Sequence, residues 1–133
     1  TALETGRYNP KTTVSDSSQS CGPKGWTPKN YSGGHGGGGS MPLSTALAKS
    51  LNTVAVDLSL KVGREKVIAN TQKLGINGVV KSCSMALGDT GISVIEHTQG
   101  YAHFANAGKR RRGRGGAGAA RNCAARSPRI IWQ

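Results

Sequence analysis

Ser50, Leu51 and Asn52 stand between two apolar runs in AKSLNTVAVDL, where a core segment would ordinarily carry Leu or Ala. A serine hydroxyl both donates and accepts a hydrogen bond, and an asparagine side chain offers two donors and one acceptor. Such a pair could be part of a site. Both residue types are also common helix caps, so the triplet is equally a boundary between two helices. The other chemistry-bearing residues converge less. His97 and His103 are six residues apart, which does not place them on one helix face for a metal, and His35 lies in a flexible glycine-rich run. Cys21, Cys83 and Cys123 have neither the close pairing of a zinc site nor the even count of a disulfide framework, and they decide neither metal nor compartment. Cys83 reads as a buried or half-buried thiol. No carboxylate pair is placed for acid–base work, and no metal or cofactor is expected.

These side chains need elements to position them. The first forty residues are rich in Gly, Ser, Thr, Asn and Pro and include GGHGGGGS at 33–40. Such a segment cannot bury enough apolar surface to offset its ordering entropy, so it should be loop with room for a short strand. Trp26 and Tyr31 are exceptions, large apolar bodies that suggest packing onto a neighbour, within this chain or outside it. From Pro42 onward, Leu43, Ala46 and Leu47 recur at helical spacing, with Ser40 available as a cap, and predict a short helix to Lys49. The next run is ambiguous. Val54, Val56, Leu58, Leu60 and Val62 alternate as a strand would, while Val54, Ala55, Leu58 and Val62 share a helix face; periodicity alone favours the strand. Between Gly63 and Gly75 the stripe Val67, Ile68, Thr71 and Leu74 predicts a helix, with Gly75 where a left-handed cap is wanted. After a Gly88-Asp89 turn, Ser93 and Glu96 have capping-box spacing and open a last helix along Ile95, Thr98, Ala102 and Ala105, ended by Gly108. Met41, Met85, Tyr101 and Phe104 read as core fillers.

With 133 residues, 35% of them hydrophobic and 20 of them glycine, the chain has room for one small domain with a modest core. No apolar run approaches the roughly 20 residues of a membrane-spanning helix. The chain opens at Thr1 without the basic region and apolar core of a signal peptide, and it reads as internal to something longer. Of the formal net charge of +12, eight charges come from Lys109 to Arg129, which has eight basic residues and no acidic ones. That segment is dominated by Arg, Gly and Ala and should be disordered in isolation. A tail of this kind can bind phosphates, which gives the alternative function of a small basic nucleic-acid-binding protein. Against it, the tail lacks interleaved aromatics, and a shifted reading frame of GC-rich DNA yields the same composition.

MPLSTALAKSLNTVAVDLSLKVGREKVIANTQKLGI followed by SMALGDTGISVIEHTQGYAHFANAGK, with GWTPKNYSGG upstream, resembles the transpeptidase domain of class A penicillin-binding proteins, enzymes that cross-link peptidoglycan. The resemblance runs from Thr1 to Lys109. It implies a mainly α fragment of the α/β penicillin-binding-protein transpeptidase fold, which is serine β-lactamase-like. Residues 1–108 are then a partial domain, loop-rich over 1–41 and helical over 42–108, with the basic tail of 109–133 outside it. The resemblance also implies that Asn52 to Val62 is helix, against the alternation. In that family an S-x-x-K motif supplies the nucleophilic serine and its lysine, an S-x-N motif follows, and a K-T-G motif lies on a strand. Ser50-Leu51-Asn52 matches the second motif in type and place. By that resemblance Ser50 is catalytic, relaying a proton between the lysine and the departing D-alanine nitrogen. Asn52 binds substrate, holding the lysine and an amide of the stem peptide. The implied partners are stem peptides and β-lactams, and the implied location is the periplasmic face of the cytoplasmic membrane.

Two of the three motifs are missing. No Ser in the chain is followed by Lys three residues later, and Lys11-Thr12-Thr13 is not K-T-G in sequence or in place. The chain resembles a middle slice of the domain, so neither transpeptidation nor covalent penicillin binding is expected from it alone. Most of the family sheet lies outside the slice, and the helices should expose faces meant for it.

Overall fold

Val14 and Met41 sit opposite each other on a two-stranded antiparallel sheet, β1 (Thr13–Asp16) and β2 (Gly39–Pro42), whose register runs from Thr13 against Pro42 to Asp16 against Gly39. The sheet belongs to a computed structural model that describes residues 1–22 and 24–108. The basic tail, with its expected disorder and its nucleic-acid alternative, lies outside the described residues. Two units are described separately below: Thr1–Val67 with Lys81–Gly88, and Ile68–Val80 with the segment that starts at Asp89.

In the first unit, alternation along β1 turns Val14 and Asp16 inward and Thr13 and Ser15 outward. Val14 and Met41 form a core with Ala46 of α1 (Leu43–Ala48) and Val54 of α2 (Asn52–Val62), and Leu43, Leu51 and Leu58 pack against it. The strand-like alternation from Val54 to Val62 is overruled, and the helix implied by the family resemblance forms. α2 packs against both β1 and a 3-10 turn at Met85–Leu87, and it buries Thr53, Val54, Val56, Asp57, Ser59 and Val62. A helix covered on several sides accepts apolar residues at any spacing, which is why its periodicity misleads. Its buried polar side chains are partnered: Lys61 meets Asp57 at 2.6 Å, and the Ser59 hydroxyl donates to the Val56 carbonyl at 2.8 Å.

Ser40 does not cap α1. It lies in β2 opposite Ser15, and Pro42 holds the N-cap position without a side-chain hydrogen bond. Backbone carbonyls do the work instead, because the Leu43 N–H donates to Thr12 O and the Ser44 N–H to Pro10 O, both at 2.9 Å. Two of the otherwise orphaned donors of the first turn are thereby satisfied. Nor is Cys83 a thiol: it forms a disulfide with Cys21 across 62 residues of sequence. The bond ties the Lys81–Gly88 segment to the loop after β1. The Arg64 guanidinium lies beside both sulfurs and donates to the Ser82 carbonyl at 3.1 Å. Trp26 is partly covered, at 39% exposure, whereas Tyr31 is fully exposed.

α3 (Arg64–Lys73) begins in the first unit and continues into the second, and it ends as expected with Gly75 in the left-handed region at φ 89°. α4 (Val94–Ala105) starts with both halves of the capping box, the Glu96 N–H donating to Ser93 Oγ at 3.2 Å and the Ser93 N–H to the Glu96 carboxylate at 3.1 Å. Burial of Glu96 opposes its ionisation, but the hydrogen bonds from Ser93 and Asn77 prevail and hold its carboxyl below the usual range. Gly100 and His103 form the buried side of α4, and a Cβ on Gly100 would stand 2.8 Å from Ile76 Cδ1.

Met41 and Met85 are buried as expected, but Tyr101 and Phe104 are 67% and 78% exposed and are not core fillers. The reason is phase. The step of three from Gly100 to His103 sets the inward face, so residues one position further on point away from it. With the half-buried His97 they make a ladder of rings, centroids 5.0 and 6.1 Å apart. No helix among the described residues is long and apolar enough to cross a membrane.

Candidate active site

α1 ends in a turn in which the Leu51 N–H donates to Ala46 O at 3.1 Å and the Ser50 N–H to Leu47 O at 2.9 Å. This pairing is the Schellman arrangement, which places a left-handed residue just past the helix. Ser50 is that residue, at φ 52°. The chain builds the same turn at the end of α3, where Ile76 N–H donates to Thr71 O at 3.0 Å and Gly75 N–H to Gln72 O at 2.9 Å. There the left-handed position is glycine, which bears no Cβ to clash; serine in the same place costs about 1 kcal/mol or more. Ser50→Gly is therefore expected to raise the unfolding free energy by about 1 kcal/mol, read as a higher urea midpoint at unchanged slope. A lower midpoint would show that the serine side chain stabilises the turn. Ser50 thus does stand at a helix boundary, in a position its residue type does not favour.

Asn52 opens α2, two residues on. Its Nδ2 donates to the Lys29 carbonyl at 2.7 Å, while its Oδ1 has no partner among the described residues. The next residue is gripped from the same loop: Thr53 N–H donates to Asn30 Oδ1 at 3.2 Å. An asparagine side chain thereby takes one of the free N–H groups at the start of α2. Behind it lies Asp16, only 6% exposed. Its Oδ1 accepts from the Thr53 hydroxyl and from Asn30 Nδ2 at 3.0 Å, and its Oδ2 accepts from the Gly38 N–H at 2.9 Å. The Thr53 hydrogen bond, opposed by burial and helped by Asn30, Gly38 and the charge of Lys49, holds the Asp16 carboxyl below the ordinary carboxylate range. A carboxylate near the start of α2 also suits the positive end of the helix dipole.

Ser50 and Asn52 come together at one cavity of about 370 Å³, whose other walls are apolar and include Leu47, Leu51, Val54, Leu58 and Leu87. Ser50 is exposed and Asn52 half-buried at its edge. The arrangement can present a hydroxyl and an amide oxygen to a ligand held against an apolar wall. His35 takes no part: its Nδ1 lies 3.0 Å from the Thr27 hydroxyl and 3.2 Å from the Pro28 carbonyl.

The sequence reading assigns no role to Asp16, Asn30 or Thr53. One local signal was available. In the glycine run a Cβ on Gly38 would stand 2.6 Å from Asp16 Oδ2, and one on Gly36, at φ 115°, would stand 2.8 Å from the Asp16 carbonyl. Those glycines are where backbone closes on a buried acid, so the segment is not merely loose.

The first unit is small and helix-rich, with a Ser-x-Asn turn at an apolar cavity. The model for the penicillin binding protein transpeptidase domain matches residues 1–114, and the chain belongs to that family. Within it, the chain is similar to penicillin-binding protein 1A of Aquifex aeolicus, 40% identical over 83 residues that make up 62% of this chain and 11% of that protein. It is 37% identical to penicillin-binding protein 1B of Vibrio cholerae over 109 residues, 78% of this chain and 14% of that one. To penicillin-binding protein 1A of Rickettsia felis it is 36% identical over 94 residues, 70% of this chain and 12% of that one. The chain thus spans between 11% and 14% of the length of these relatives.

Proposed function

We propose that the chain is the middle portion of a peptidoglycan D,D-transpeptidase and contributes Ser50 and Asn52 to its acyl-serine cycle. What carries this assignment is the meeting of the two side chains at one cavity, in a chain of the transpeptidase-domain family. In the cycle, a serine oxygen supplied from outside these residues attacks a stem-peptide carbonyl, the bond to the terminal D-alanine nitrogen breaks, and that nitrogen must gain a proton. The Ser50 hydroxyl accepts one from the lysine of the nucleophile motif while donating its own to the nitrogen. Asn52 holds the lysine and a stem-peptide amide. The amine of a second stem peptide then attacks the ester, and its proton returns by the same route as the serine oxygen leaves. β-Lactams enter as stem-peptide mimics and stop at the ester. The Cys21–Cys83 disulfide supports a location on the periplasmic side, since such bonds persist in oxidising compartments.

With no Ser-x-x-Lys and no Lys-Thr-Gly among its 133 residues, the chain alone forms no acyl-enzyme. The test uses fluorescent penicillin on two proteins. One is the full chain; the other is a chimaera of the Vibrio cholerae protein in which this chain replaces the aligned segment. The chain is expected to remain unlabelled. The chimaera should label, and its Ser50→Ala variant should label about 10² to 10⁴ times more slowly. Labelling of the isolated chain, or an undiminished rate in Ser50→Ala, would refute the assignment.

A further inference from the structure

We propose that Asp16 is a positioning residue for the Ser50-Leu51-Asn52 turn, acting through Thr53 and Asn30. The inference rests on the assignment of Ser50 and Asn52 to the transpeptidase site. Asp16 is a buried carboxylate whose three hydrogen-bond donors come from three parts of the chain: the Thr53 hydroxyl in the first turn of α2, the Asn30 amide in the loop before β2, and the Gly38 backbone. Burying an acid is unfavourable unless its oxygens are satisfied, and these are.

The contacts converge on one place. Two consecutive loop residues hold two consecutive residues of α2, Lys29 through the amide of Asn52 and Asn30 through both the N–H and the hydroxyl of Thr53. Asp16 closes the arrangement by binding Asn30 and Thr53 through the same oxygen. Pinning Nδ2 of Asn52 fixes where its Oδ1 points, because the two atoms share one planar group. On the other side of the triplet, Ser50 is held at φ 52° by the turn that ends α1. A strained residue persists only where its surroundings over-determine it. Here one constraint comes from α1 and the other from the Asp16 cluster. A core acid with only a packing role has no reason to engage both Asn30, which follows the loop carbonyl that orients Asn52, and Thr53, which follows Asn52 itself.

The chimaera described above supplies the test, read as the acylation rate by fluorescent penicillin with kcat and KM for transpeptidation determined separately. Asp16→Asn keeps the shape of the side chain but replaces one acceptor with a donor that faces other donors. Thr53→Val removes the hydroxyl, and Thr53→Ser retains it. The expected result is a roughly 10- to 100-fold loss of acylation and of kcat in Asp16→Asn and Thr53→Val, with KM changed much less and Thr53→Ser close to the parent. In the full chain labelled with 15N, the Asn52 side-chain amide should exchange with water at least about tenfold faster in Asp16→Asn.

Parental acylation in folded Asp16→Asn and Thr53→Val, beside a slow Ser50→Ala, would overturn the role of Asp16 and leave the site assignment standing. Parental acylation in Ser50→Ala would remove both. Equal losses in Thr53→Ser and Thr53→Val would also overturn the proposal, since the hydroxyl would then not be what matters. Should Asp16→Asn fail to fold, Gly38→Ala carries the same test, because its methyl displaces the Asp16 carboxylate without removing it.

Discussion

Reduction of the Cys21–Cys83 disulfide, or Cys21→Ser, is expected to lower the unfolding free energy of the first unit by about 4 kcal/mol. The magnitude follows from the sequence separation of 62 between the two cysteines, a long loop whose closure the bond imposes on the unfolded chain. Cys21 is buried, so the loss is not offset by relaxation at the surface. The effect should also reach the candidate site. Cys21 N–H donates to the Trp26 carbonyl at 2.8 Å, and the strand of loop that follows delivers Lys29 and Asn30 to the start of α2. Urea unfolding with and without a phosphine reductant measures the change, and Cys21→Ser and Cys83→Ser should each match the reduced parent. A midpoint unmoved by reductant would show that the bond does not constrain the unfolded chain as supposed.

Thr53→Val should cost about 2 kcal/mol at neutral pH, through loss of a hydrogen bond to a buried charged group at nearly constant volume. Its pH dependence carries a sign that a packing defect would not. The folded-state pKa of Asp16 lies below its unfolded value, with the Thr53 hydroxyl as the largest cause. The associated stability is therefore fully present above the ordinary carboxylate pKa of about 4, and is lost as pH falls through the depressed folded value. Thr53→Val removes the largest single contribution to that stability. The gap between parent and variant should narrow in acid. Glu65 and Glu96 also have lowered pKa values, but both proteins share them, so the difference between the two curves isolates Asp16. A gap that stays constant down to pH 2 would assign the loss to packing alone.

Local pattern carried the reading of this chain as far as local causes reach. The Ser93–Glu96 box and the Gly75 cap are decided within one helical turn, and both appear in the fold as read from spacing. The run from Val54 to Val62 is different, because burial on several sides of α2 erases the periodicity that normally separates helix from strand; only the longer family pattern decided it. Asp16 was illegible for a plainer reason. Its side-chain partners lie 14, 22 and 37 residues away, and no window of sequence joins them. The disulfide was hidden by arithmetic, since Cys123 in the tail made an odd count of what is a pair within the described residues. Residue type misleads at Tyr101 and Phe104, because the helix phase set by Gly100 and His103 turns them outward. Ser50 and Asn52 are legible as candidates because residue type and place in the family pattern coincide in three consecutive residues.

The left-handed serine at the end of α1 leaves a mark that selection can read. In a library randomised at position 50 and sorted only for survival of heat, glycine should be enriched. In the chimaera, sorted for capture of a labelled antibiotic, serine should be retained. A position where these two enrichments diverge identifies itself as chemical without any ligand in view. Position 75, where the same backbone turn already holds glycine, should give one answer under both regimes and so serve as the internal control.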